Sequence, residues 1–178
     1  LAMGTFNDVT AISKIAVNTH LAGAAGTVTG AVLSRLLGGK TDVIMMLNGA
    51  LAGLVAITAE PLTPTPGFAI LIGSIGSVIM YFGTKMLENF GLDDVVGAIP
   101  VHMFAGIFGT LIVPLTNKGV AFSSQFVGTL SVCAFSFVLS YIIFKTMKAT
   151  IGLRISKEAE KLGTDKAEVG VVAYAIRD

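Results

Sequence analysis

Charged side chains divide this chain into long apolar blocks. Uncharged stretches run from Ile15 to Ser34, Val43 to Ala59, Pro61 to Thr84, Val95 to Asn117 and Gly119 to Phe144. Each is close to the roughly 17–25 apolar residues that carry a helix across a bilayer. Backbone groups in hydrocarbon must be satisfied within their own segment, so the blocks read as helices. The strand alternative needs units of about ten residues that alternate apolar and polar positions, and no block does so. The pattern predicts an all-α integral membrane protein of about five transmembrane helices. The spans fall at 15–34, 43–59, 61–84, 95–117 and 119–144, within a bundle over residues 1–147. A tail follows at 148–178.

The charges between the blocks set an expected orientation. Arg35, Lys40, Lys85, Lys145, Lys148 and Arg154 follow the first, third and fifth blocks, whereas the opposite loops hold only Lys118. Excess cations mark the cytoplasmic side, which puts the C-terminus in the cytoplasm and Leu1 to Ser13 outside. Small residues recur every fourth position at Ala22, Gly26 and Gly30, at Gly49 and Gly53, and at Gly73 and Ser77. Such rows let helices approach backbone to backbone. The run Pro61 to Pro66 predicts an extended outer loop, since each proline disfavours helix at the residue before it.

Composition narrows the function. Charged residues are 13% of the chain and hydrophobic residues 53%, where a soluble domain has about 25% charged. A net charge of +1 offers no basic stripe for nucleic acid. The single cysteine, Cys133, lies in an apolar run and permits no internal disulfide or metal-ligand spacing. No nucleophile–base pair, phosphate loop or metal cluster stands out, so neither an enzyme nor a cofactor is expected.

Ionisable groups inside spans are functional candidates by default. His102 falls mid-span, with Val95, Ala98, Ile99, Ala105, Gly106 and Gly109 on its predicted helical face. Burial favours its neutral form, which carries one donor and one acceptor. Such a group serves either a small polar permeant or a neighbouring helix, and spacing leaves both readings open. His20, near the outer end of the first span, reads as a histidine bonded to its surroundings. Asp93 and Asp94 precede the fourth span, where carboxylates complement the helix dipole and cap free N–H groups.

The stretch Leu92-Asp-Asp-Val-Val-Gly-Ala-Ile-Pro-Val-His102-Met-Phe-Ala-Gly-Ile-Phe-Gly109 resembles the tenth helix of ammonium transporters of the Amt/Mep/Rh family. Val17-Asn-Thr-His-Leu-Ala-Gly-Ala-Ala-Gly26 resembles the seventh helix and Asn48-Gly-Ala-Leu-Ala-Gly-Leu-Val-Ala-Ile-Thr58 the eighth. Gly152-Leu-Arg-Ile-Ser156, Leu162-Gly-Thr-Asp165 and Ala173-Tyr174 resemble the family's tail. Three departures are Met103 for a glycine, Gly97 for an acidic residue and Val169 for a histidine. Leu1 to Phe6 resembles the opening of the sixth helix, but Asn7-Asp8 follows where the family has a phenylalanine-rich stretch.

The resemblance implies helices seven to eleven of an eleven-helix fold with two inverted halves, assembled as a homotrimer in the inner (plasma) membrane. The chain is then expected to be part of a longer protein. The implied activity is transport of ammonium or ammonia for nitrogen uptake. His102 would be the second of a pore-lining histidine pair whose partner lies on a helix outside this chain. Gly163, Asp165 and Tyr174 would belong to a regulatory tail that meets neighbouring subunits and a PII-type protein. Alternatives are an Amt-like ammonium-sensing module and an inactive partial transporter.

Overall fold

The computed structural model describes residues 4–173. Its described regular elements are all helical. They are α1 (Phe6–Gly38), α2 (Val43–Thr58), α3 (Pro66–Asn89), a π-helical segment Ile99–Phe104 leading into α4 (Ala105–Thr116), α5 (Phe122–Thr150), α6 (Lys157–Leu162) and a π-helical turn Asp165–Val169. Four runs are long and apolar enough to cross a membrane: Phe6–Gly38, Pro66–Asn89, Ile99–Thr116 and Phe122–Thr150. The fifth expected span is α2, apolar but only 16 residues long.

The first helix starts well before the expected Ile15. Thr5 accepts from the Asp8 N–H while the Asp8 carboxylate accepts from the Thr5 N–H at 2.9 Å, a reciprocal cap that starts the helix at Phe6. At 1.5 Å per residue α1 is about 50 Å long, well beyond the roughly 30 Å hydrocarbon core. Lys14 and Asp8 therefore sit on helix, and the segment expected as a separate outer stretch is mostly α1. The third helix begins at Pro66, capped by Thr65, and runs to Asn89 past Lys85. Charge marks where an apolar block stops; hydrogen bonding and caps decide where the helix stops.

The chain forms two compact units, Leu1–Ser131 and Val132–Asp178. In the first unit, small residues set the packing. A Cβ on Gly26 would collide with the Gly49 carbonyl, one on Gly30 with the Met45 carbonyl, and one on Gly53 with the Ala22 carbonyl. These pairs run in opposite order along α1 and α2, so the two helices are antiparallel. Gly73 abuts Ala22, and the Ser77 hydroxyl donates to the Gly26 carbonyl at 2.9 Å, so α3 runs parallel to α1. Gly109 of α4 abuts Ala56 of α2, and Gly83 of α3 faces Phe104. Apolar side chains such as Ala52, Met80, Val101 and Ala105 fill the space between.

Alternating direction gathers the connections at two ends. The α1–α2 turn, the end of α3 and the start of the π segment share one end. The Pro61–Pro64 loop and Asn117 share the other. There Asn18, fully buried, donates to the carbonyls of Pro61 and Pro64 at 2.8 and 2.9 Å. Glu60 accepts from Asn117 at 3.1 Å and from the N–H groups of Leu62 and Thr63 at 3.2 Å.

In the second unit, Ser156 caps α6 by accepting from the Ala159 N–H at 3.1 Å. Arg154 pairs with Glu160 at 2.7 Å. The turn Asp165–Val169 follows directly after Gly163 and Thr164.

Candidate functional site

His102 stands in the π-helical segment rather than mid-way along a regular helix. The expected helix start at Val95 does not hold: Val95 and Val96 lie in a turn, and Gly97 has φ +72°, a left-handed conformation suited to glycine. Asn48 of α2 donates to the Val96 carbonyl at 3.0 Å. A Cβ on Gly97 would sit 2.6 Å from the Asn48 amide nitrogen, so both the backbone angle and the space require glycine.

Asp94 fixes the start of the segment. One carboxylate oxygen accepts from the Ala98 N–H at 2.9 Å and the other from the Ile99 N–H at 2.8 Å. Pro100 follows and brings no N–H of its own. The Ala105 N–H then reaches the Pro100 carbonyl five residues back, which widens the turn. Such wide turns inside helices often mark functional positions. Asp93 is exposed, and with Thr84, Glu88, Leu92, Asp94 and Pro100 it lines a notch of about 200 Å³.

The wide turn also changes which residues share a face. The expected stripe put His102 with Ala105 and Gly109. In the fold Pro100, Val101, Ala105, Gly109 and Val113 turn inward, and His102 lies exposed between Ile99 and Met103. Val95 lies outside the helix, and Gly106 borders the exposed side. Among the described residues no side chain hydrogen-bonds the imidazole.

His20 is exposed on α1, and its Nδ1 lies 2.7 Å from the Ala16 carbonyl. That bond puts a proton on Nδ1. No hydrogen bond joins His20 to His102.

In the tail, Gly163 (φ +94°) ends α6, and a Cβ there would sit 2.6 Å from an Asp165 carboxylate oxygen. Asp165 accepts from the Ala173 N–H at 2.9 Å and closes the loop 165–173. The Ala173 and then the Lys166 N–H groups hold its carboxyl below the ordinary value of 3.8. The fold thus joins Gly163 and Asp165; Tyr174 lies outside the described residues.

Asn18, Asn48 and Glu60 organise the loops but were absent from the candidates. Their signal was an amide or carboxylate inside or beside an uncharged block. Amides do not titrate, and Glu60 lies between two uncharged blocks, so neither stands out as an ionisable group inside a span.

A bundle of apolar helices packed through small residues, with a polar cap that fixes a histidine-bearing wide turn, defines a multi-pass membrane protein. A family model described as Ammonium Transporter Family matches residues 3–174. The chain is 40% identical over 183 residues to Ammonium transporter Amt2 of Archaeoglobus fulgidus, which covers 92% of this chain and 39% of that protein. It is 33% identical to Ammonium transporter Amt1 of Methanocaldococcus jannaschii, covering 98% and 45%. Among solved structures, one titled Sensor Amt Protein superposes with a TM-score of 0.83 at 29% identity, over 93% of this chain and 43% of that one. Candida albicans Mep2 superposes with a TM-score of 0.75 at 25% identity, over 89% and 40%. The chain belongs to the ammonium transporter family, whose members are transporters and channels rather than enzymes. It spans less than half the length of these relatives.

Proposed function

We propose that this chain is the C-terminal part of a transmembrane pathway for ammonium or ammonia. The observation that carries the reading is His102: an imidazole exposed beside Ile99 and Met103, held by a turn that Asp94 caps and Asn48 braces. A neutral imidazole both donates and accepts, so it suits a small polar permeant that has left its water. Apolar walls beside it exclude hydrated cations. Membership of the family, with relatives named ammonium transporters, supplies the substrate class.

In this reading the helices belong to an eleven-helix inverted-repeat fold that forms a homotrimer in the inner membrane. His102 faces a second histidine contributed from outside the chain. Residues 1–147 form the membrane bundle and 148–178 the cytoplasmic tail, with Gly163, Asp165 and Tyr174 as its regulatory motif toward a PII-type protein. Lys40, Lys85, Lys145 and Lys148, which follow the first, third and fifth apolar blocks in the sequence, support the orientation. A second reading, an ammonium-sensing membrane module, is favoured by the likeness to the structure titled Sensor Amt Protein.

The test is methylammonium and ammonium flux into liposomes that hold the intact protein. Substrate-dependent flux supports transport. Ammonium binding without flux moves the reading to the sensor, and neither binding nor flux removes both.

A further inference from the structure

Two pairs of residues four apart border the exposed face of the wide turn. Residues at that spacing share one side of a helix, and lie nearly above one another where bonds reach five residues back. Ile99 and Met103 form one pair, 39% and 50% exposed. His102 and Gly106 form the other, so the position next to the imidazole along α4 carries no side chain. The Thr110 hydroxyl, one turn further, donates to the Gly106 carbonyl at 3.0 Å and has no proton left for a permeant.

Packing within these helices does not account for the gap at Gly106. A Cβ on Gly109 would collide with the Ala56 carbonyl, and one on Gly83 would sit 2.6 Å from the Phe104 ring. A Cβ on Gly106 would meet only Val55 of α2, at an ordinary 3.5 Å, and its φ is not left-handed. Glycine costs a helix stability where alanine fits. The missing methyl group therefore serves something other than the fold of these helices, and what it leaves open is space at the imidazole. A helical side chain leans toward the turn before it. A side chain at position 106 would thus cover His102, and Met103 lies beside the imidazole. Methionine is unbranched and flexible, and at half exposure little packing fixes it, so it makes a yielding wall.

We infer that Met103 and Gly106 set the width of the passage at His102, and with it the preference between ammonium and the bulkier methylammonium. The inference rests on the transport reading.

The experiment measures initial uptake of ammonium and of methylammonium into liposomes that hold the intact protein, together with its unfolding midpoint. Met103→Ala is expected to raise methylammonium flux relative to ammonium about threefold, because a flexible wall beside the imidazole recedes. Gly106→Ala is expected to lower that ratio about tenfold, as one added methyl group does in a confined site, without lowering the midpoint. Parent-like ratios in both variants, with flux retained, overturn the inference and leave the transport reading standing. A ratio that moves the same way in both variants also overturns it. A lowered midpoint in Gly106→Ala assigns the glycine to packing and overturns it as well. Absence of flux in the parent overturns the transport reading and the inference with it.

Discussion

The Ser77 hydroxyl of α3 donates to the Gly26 carbonyl of α1 at 2.9 Å, and Gly49 of α2 closes on the same point. Three helices meet there because none of the three residues carries a bulky side chain. A Cβ on Gly49 would lie 2.8 Å from the Ser77 oxygen. Gly49→Ala is expected to destabilise the protein by about 1–3 kcal/mol through overpacking. Gly128→Ala on α5, where a Cβ meets nothing within 4 Å, should be neutral or stabilise by about 0.5–1 kcal/mol. Ser77→Ala should cost about 0.6 kcal/mol, the average for a hydrogen bond between membrane helices. Denaturation in mixed micelles measures all three. The account fails if both glycine variants change stability with the same sign.

The turn before His102 couples two residues that are far apart in sequence. Gly97→Ala is expected to cost about 1–2 kcal/mol for the left-handed backbone, and more for the approach to Asn48. Asn48→Ala removes that neighbour, so the double variant should be less destabilised than the sum of the singles by at least about 0.5 kcal/mol. Strict additivity in a double-mutant cycle would show that the Asn48 amide does not constrain position 97.

Asp94 and Asp93 are expected to differ despite being adjacent. Asp94→Ala leaves two N–H groups at the head of the π segment uncapped and should cost about 1 kcal/mol. Asp93→Ala should lie within about 0.5 kcal/mol of the parent, as an exposed substitution does. Unfolding midpoints decide it, and equal losses at both positions would contradict the capping role.

In the tail, Asp165 carries a depressed carboxyl pKa because the Ala173 and Lys166 N–H groups favour its charged form. Closure of the loop 165–173 is therefore supported above the unfolded value near 3.8 and lost as pH falls from there through the lower folded value. Amide exchange of the Ala173 N–H should accelerate across that acid window, relative to tail amides outside the loop. In Asp165→Asn the acid step should vanish. Persistence of the step in that variant would assign it to another group.

The helices themselves were legible in the sequence, because uncharged runs of membrane length leave little choice. The rows Ala22-Gly26-Gly30 and Gly49-Gly53 likewise announced close helix packing, but not which helices meet, since only small residues recur every fourth position there. Less legible was where each helix begins. Phe6 is set by the Thr5–Asp8 cap, while charge alone pointed to Ile15. The face of His102 was misassigned because 3.6-residue periodicity was carried through a wider turn. That turn depends on Gly97, Pro100 and Asn48 acting together, and the last is 49 positions from Gly97 by sequence but in contact with it. Gly163 and Asp165 were singled out only by family resemblance, because their contact rests on backbone geometry that leaves no periodic pattern.

The most direct test of the central claim is flux through the intact protein with His102→Ala, beside His20→Ala as comparison. Losing one hydrogen bond to the permeant should change ammonium or methylammonium flux, or the ratio between them, by about fivefold. His20→Ala, whose Nδ1 contacts its own helix, should leave both unchanged. Parent-like flux and selectivity in His102→Ala would contradict the assignment of His102 to the permeation path.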